Sequence, residues 1–218
     1  MAPRHVLIDV AKAWQACDRA VSFESVGGVE AAERVRNGEP FDIVVLAAES
    51  IDKLVAAGRI VADSKTDIAR SAVAVAVRAG APRPAIDTEE TLRKAVLSAR
   101  TVGYSTGPSG VALRQLFQRW GIADVMSGRA TEARPGVAVG TLIARGDVDL
   151  GFQQLSELMH VEGIDVVGPM PPGLGIVTTF SGGVCTASTR ADDTRALLDF
   201  MRSPAADQAK RRHGMQPA

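Results

Sequence analysis

The segment Tyr104-Ser-Thr-Gly-Pro-Ser-Gly-Val-Ala-Leu-Arg-Gln-Leu-Phe-Gln-Arg-Trp-Gly121 constrains the fold most. It reads as the end of a strand, a small polar turn and an amphipathic helix closed by Gly121. Pro108 and Gly110 suit the sharp turn, and Ser109 is expected to cap the helix. Such a turn aims unpaired backbone N–H groups and the positive end of a helix dipole at one spot, which suits an anion. It is also the ordinary connection between strand and helix, so its meaning depends on the rest of the chain.

The same succession runs through all 218 residues. Helical spacing covers residues 5–18, followed by a short strand at 21–23 and a helix from Gly27-Gly28 to about Val35. The continuous apolar run 42–46 reads as a strand of a sheet covered on both faces, and 49–57 as a helix ended by Gly58. A long β-type run at 72–77 precedes the Pro/Gly break 79–85. Beyond it come a helix capped by Thr88 with Thr91 in its first turn, a strand at 101–104, the helix 109–120 and a helix from about Gly136 to Ala144. Strands follow at 148–152 and 164–167, then a break at 169–173 and a strand-like stretch at 175–188. The chain closes with a helix at 192–201, a turn at Ser203-Pro204 and a last helix to about Arg212. The pattern predicts an α/β protein of two units, with crossings near 73–77 and 178–185. Its domains are residues 1–75 plus 183–218, discontinuous, and 76–182.

Composition narrows the function. The chain is 46% hydrophobic but only 4% aromatic, so its core is aliphatic. Lys plus Arg balances Asp plus Glu, which argues against nucleic acid as a partner. There is no run of eighteen apolar residues to span a membrane. Asp9 and Lys12 break what a signal peptide needs as a continuous apolar core, so the chain by itself is not marked for export and reads as cytoplasmic. Cys17 and Cys185 read as buried free thiols, with a disulfide left open.

Polar turns before helices recur at 24–28, 105–110 and 133–136. If these helix starts converge, dipole ends and hydroxyls hold an anion with little formal counter-charge, and Arg134 adds charge-assisted hydrogen bonds. Gln153 and Gln154 follow an apolar strand at the end that faces ligands in open α/β sheets. His5, His160 and His213 share no metal or catalytic spacing, and His213 is expected to be solvated. Residues 210–213 read as a charge run at a helix end. No catalytic triad, phosphate-binding loop, dinucleotide fingerprint, metal site or cofactor site is recognisable.

Taken in order, several stretches resemble the periplasmic molybdate-binding proteins of ABC transporters. They are residues 21–27, the strand 41–48, the turn and helix 103–121, residues 139–151, and the ending 197–206 with 213–217. The resemblance implies a type II periplasmic-binding fold with an anion held in a cleft between its domains, and an ABC permease as a partner. By position it implies ligand contacts at Ser25 and Gly27, at Tyr104, Ser105, Ser109 and Gly110, at Arg134, Gly136 and Val137, and at Gln153 and Gln154. Gln154 stands where molybdate binders have a tyrosine. The Gln-Gln pair is closer to a side branch that includes an aconitate isomerase, so the ligand is an organic carboxylate or a molybdate-like oxyanion. The enzyme alternative is an isomerase of a small polycarboxylate, with Tyr104, Glu24 and Arg134 as candidate participants. A third reading is a remnant without a working site.

The chain opens at what would be the family's first helix. The family's first strand and its serine turn are therefore expected to precede Met1, together with a signal peptide that would make the protein periplasmic. On that reading the first domain's sheet is narrowed or gapped, or a second copy completes it as a homodimer.

Overall fold

The structure is a computed structural model describing residues 2–15, 20–134 and 136–218. It divides into two compact units, Met1–Ser71 with Thr178–Ala218, and Ala72–Val177.

In unit 1, α1 (Arg4–Gln15), α2 (Gly28–Arg36), β1 (Ile43–Ala47) and α3 (Ala48–Ala56) lead into β2 (Thr66–Arg78). In unit 2, α4 (Glu89–Ser98), β3 (Val102–Tyr104), α5 (Pro108–Arg119), α6 (Ala123–Ser127), β4 (Ala130–Glu132), α7 (Val139–Arg145), β5 (Leu150–Gln154), α8 (Leu155–Leu158) and β6 (Ile164–Pro169) follow. The chain then runs through β7 (Val177–Val184), α9 (Ala191–Arg202), α10 (Asp207–Arg212) and β8 (Met215–Pro217), in unit 1 from Thr178 onward.

In unit 1, β1 pairs antiparallel with β7, from Ile43 opposite Val184 to Ala47 opposite Phe180, and the start of β2 pairs antiparallel with β8. Helices α1 and α9 close its core, where Val6, Val10 and Trp14 meet Leu198, Met201 and Met215. Burying each such side chain contributes about 2 kcal/mol. Trp14 and Phe200 hold their rings 5.1 Å apart.

In unit 2, β3 runs parallel to both β4 and β5, and β5 pairs antiparallel with the second half of β2, which also pairs with β6. Helices α4 and α5 bury Leu92, Val96, Leu113, Leu116 and Phe117 over one face. On the other face α7 lies close, because Gly103 and Gly151 stand opposite each other there. A Cβ on Gly151 would come within 2.3 Å of Ile143 Cδ1. Thr88 caps α4 in a reciprocal capping box with Thr91, as the sequence predicts.

Several expectations need correction. Residues 20–27 carry neither helix nor strand, so the strand expected at 21–23 is absent. Its apolar side chains Val21 and Phe23 pack on the unit 1 core without entering a ladder. Ser109 is not the cap of α5; Gly107 is, because Pro108 takes the first helical position, where a missing N–H costs nothing. The helix expected from Gly136 begins at Val139, since Gly136 adopts φ 81° and cannot continue helical geometry. His213 is not solvated: its side chain is 13% exposed, and its Nε2 lies 3.0 Å from Asp9 Oδ2. Lys210 is fully buried against Asp207, because α10 packs onto α1 and turns that face inward. Cys185 is a buried free thiol whose pKa burial pushes up to about 12, so it is inert as a nucleophile. Cys17 lies outside the described residues.

Candidate functional site

Register fixes the geometry in unit 2. Tyr104 stands beside Glu132 on β4 and beside Phe152 on β5, in parallel strands. The residues following those positions therefore gather at one end of the sheet, the polar edge of unit 2. They are Ser105 to Gly110, then Ala133, Arg134, Gly136 and Val137, and Gln153 with Gln154, which are the last two residues of β5. These are the carboxyl ends of parallel strands, where α/β sheets gather their ligand contacts. The Ala133 N–H donates to the Tyr104 carbonyl at 2.8 Å, tying two of the three segments together.

The start of α5 is rigidly set. Ser105 Oγ and Ser109 Oγ lie 3.1 Å apart, and Ser109 and Gly110 are buried. The Gly110 N–H folds back on the Gly107 carbonyl at 2.9 Å, and the Ser109 N–H belongs to the first helical turn, whose amides have no partner within the helix. Two hydroxyls and that amide sit at the positive end of a twelve-residue helix.

The two glutamines separate. Neighbouring residues on a strand point to opposite faces, so only one of the pair can face a given ligand. Gln153 is spent inside the fold: its Oε1 accepts from the Gly140 N–H at 3.2 Å and its Nε2 donates to Glu157 Oε2 at 2.7 Å. It therefore seats the start of α7 against α8. Gln154 is 5% exposed on the other face, opposite Val73 in the ladder. Burial pushes the Glu157 carboxyl up, against the opposing pull of the Gln153 hydrogen bond. Sequence reading missed Glu157 and Gly140; the four-residue step from Gln153 to Glu157 was the available signal.

The third turn is less of an anion nest than its sequence suggests. The Val137 N–H donates to the Arg134 carbonyl at 2.9 Å, and α7 is only seven residues long. Arg134, Gly136 and Val137 are exposed.

In unit 1, Gly27 caps α2 with an extended backbone, and its carbonyl accepts from the Ala31 N–H at 2.9 Å. Ser25 is exposed on the turn before it. That turn is anchored through Arg34, which binds Glu24 at 2.6 Å and Glu39 at 2.9 Å and lies 4.8 Å over the Phe41 ring. Those hydrogen bonds hold the Glu24 carboxyl below its ordinary range. Glu24 is thus engaged in an ion pair with Arg34. Tyr104 is buried with Arg114 over its ring at 5.8 Å, and Arg114 pairs with Glu132 at 2.9 Å. Among the described residues, no cluster of three His, Cys, Asp or Glu could hold a metal ion.

A family profile described as bacterial extracellular solute-binding protein matches residues 1–216. The chain belongs to this family. Its architecture is that of the type II periplasmic binding proteins, as the resemblance implied. The molybdate-binding protein of Azotobacter vinelandii superimposes with a TM-score of 0.79 at 20% identity, covering 98% of this chain and 95% of that one. A sulfate-binding protein from Mycobacterium tuberculosis gives 0.77 at 18% identity, covering 99% and 84%. An aconitate isomerase from a Pseudomonas species is 39% identical over 185 residues, covering 84% of this chain and 70% of the relative. The solute-binding reading therefore stands, and the side branch suggested by Gln153-Gln154 contains a relative of this chain.

Proposed function

We propose that this solute-binding protein holds a small organic polycarboxylate of the aconitate or citrate type. The observation that carries the reading is the edge of unit 2, where the start of α5, with Ser105 and Ser109, emerges beside Gln154. Hydroxyls, a first-turn amide and a neutral amide side chain suit carboxylates, which accept several hydrogen bonds at once. Ser25 and Gly27 head a second such helix start in unit 1. The 39% identical relative, named for an aconitate reaction, favours carboxylate over molybdate. On this reading the protein works outside the cytoplasmic membrane and hands its ligand to an ABC permease.

The same relative favours a second reading, isomerisation of such a polycarboxylate. Against it, the Glu24 carboxylate is engaged by the Arg34 guanidinium and Tyr104 is buried under Arg114.

Thermal-shift and calorimetric titration with cis-aconitate, trans-aconitate and citrate, against molybdate, tungstate and sulfate, tests the ligand class. A carboxylate is expected to raise the melting temperature, and Ser109→Ala is expected to weaken it by about tenfold, or ~1.4 kcal/mol. Stabilisation by molybdate alone overturns the carboxylate reading. Proton NMR of cis-aconitate incubated with the protein decides the second: appearance of the trans isomer establishes isomerisation, and an unchanged spectrum removes it.

A further inference from the structure

The end of the unit 2 sheet opposite Ser105 and Gln154 carries a separate groove of about 760 Å³. It lies at the amino end of β5, one strand length from the polar edge, about 16 Å at ~3.3 Å per residue. Its size falls within the ~300–1,000 Å³ of small-molecule sites. Small side chains create the space. Ala81, Pro84 and Ala85 of the loop after β2 line it together with Ala95 of α4 and Ala99 just after that helix, and Val148 and Leu150 line it further.

The charge around this groove is one-sided. Arg78, Lys94 and Arg100 line it, with Asp149 as the one lining carboxylate. Asp149 is committed to Arg100, accepting from its guanidinium twice at 3.0 Å and from its backbone N–H at 3.1 Å. Among the described residues, Arg78 and Lys94 form no ion pair, so two exposed cations flank an apolar trough.

We propose that this groove is a second binding site, taking an amphipathic organic acid whose chain lies along the alanine-lined trough and whose carboxylate meets Arg78 and Lys94. The charge imbalance selects an anion, and the apolar lining selects a chain that the polar edge near Ser109 would not accept. The site is independent of the polycarboxylate reading, because it shares no residue with that edge.

Octanoate and 1-octanol are the probes, titrated into the isotope-labelled full chain and followed by amide NMR shifts. Octanoate is expected to shift amides around 78–100 and 146–150, with 1-octanol much weaker. Arg78→Glu combined with Lys94→Glu is expected to weaken octanoate by about tenfold or more, as flanking charges commonly do. Both residues are exposed, so this variant keeps its fold, as its unfolding curve will show. Ala95→Trp, filling the trough, is expected to abolish the shifts. Equal binding of octanol, shifts centred elsewhere, no shifts, or an affinity unchanged by the charge reversal would each overturn the proposal.

Discussion

Gly110 sits so close to Ser105 that a Cβ on it would stand 1.7 Å from the Ser105 carbonyl oxygen. The first turn of α5 and the end of β3 are thus pressed together backbone to backbone. That contact, more than any side chain, sets where the Ser105 and Ser109 hydroxyls point.

Gly110→Ala is therefore expected to damage both stability and binding. In an open helix the change would gain up to ~1 kcal/mol. Here the overlap wins, costing about 3 kcal/mol or more, because backbone cannot rotate away as a side chain can. Urea unfolding and calorimetry with the best carboxylate will read the two losses. A stable variant of unchanged affinity would show that the turn is softer than described.

The adjacent glutamines are expected to diverge. Gln153→Leu strands the Gly140 N–H and the Glu157 carboxyl, and is expected to cost about 3 kcal/mol of stability. Gln154→Leu is expected to cost less stability and more ligand affinity. Chemical denaturation and titration of the two variants side by side will show whether the roles separate.

Three groups shape the pH dependence, His5 and Asp9 in one direction and Glu157 in the other. Burial, with the charges of His213 and Arg4, holds His5 below its ordinary 6.5. The unfolded chain then binds more protons there, so stability falls as pH drops below 6.5. Asp9 adds to this further down: burial raises its carboxyl, but hydrogen bonds from His213 and Arg212 outweigh that and hold it below 3.8. Its stabilisation is lost as pH falls through that lowered value. Glu157 acts the other way, since its raised carboxyl loses stability as pH climbs above 4.5. Unfolding free energies from pH 4 to 8 should lose the acid-side slope in His5→Gln and the opposing slope in Glu157→Gln.

Thr88→Ala removes the side chain that caps α4 and is expected to cost about 1 kcal/mol. Because α4 walls the groove but not the polar edge, carboxylate affinity should stay unchanged while the unfolding midpoint drops.

Periodicity and punctuation were local enough to read directly. The apolar runs of β1 and β2, the Thr88 cap and the glycines after α2, α3 and α5 all sit close to their predicted places. Strand β8 and the burial of Lys210 and His213 were not legible, because β8 needs β2 to pair with, and the other two follow from the packing of α10 and its end onto the distant α1. The strand expected at 21–23 failed for the same reason: β-type residues form a strand only where another strand offers hydrogen bonds.

The candidate site divides along the same line. The sequence by itself determined that a strand would feed a polar turn and a helix at residues 104–121, since turn chemistry and helical spacing act over a few residues. Only the tertiary structure decided which groups remain available there. Parallel register brought three segments to one edge, strand alternation sent Gln153 inward to Gly140 and Glu157, and Pro108 moved the cap from Ser109 to Gly107. Hydrogen-bond partners are assigned by three-dimensional neighbours, and sequence order does not specify which neighbours those are.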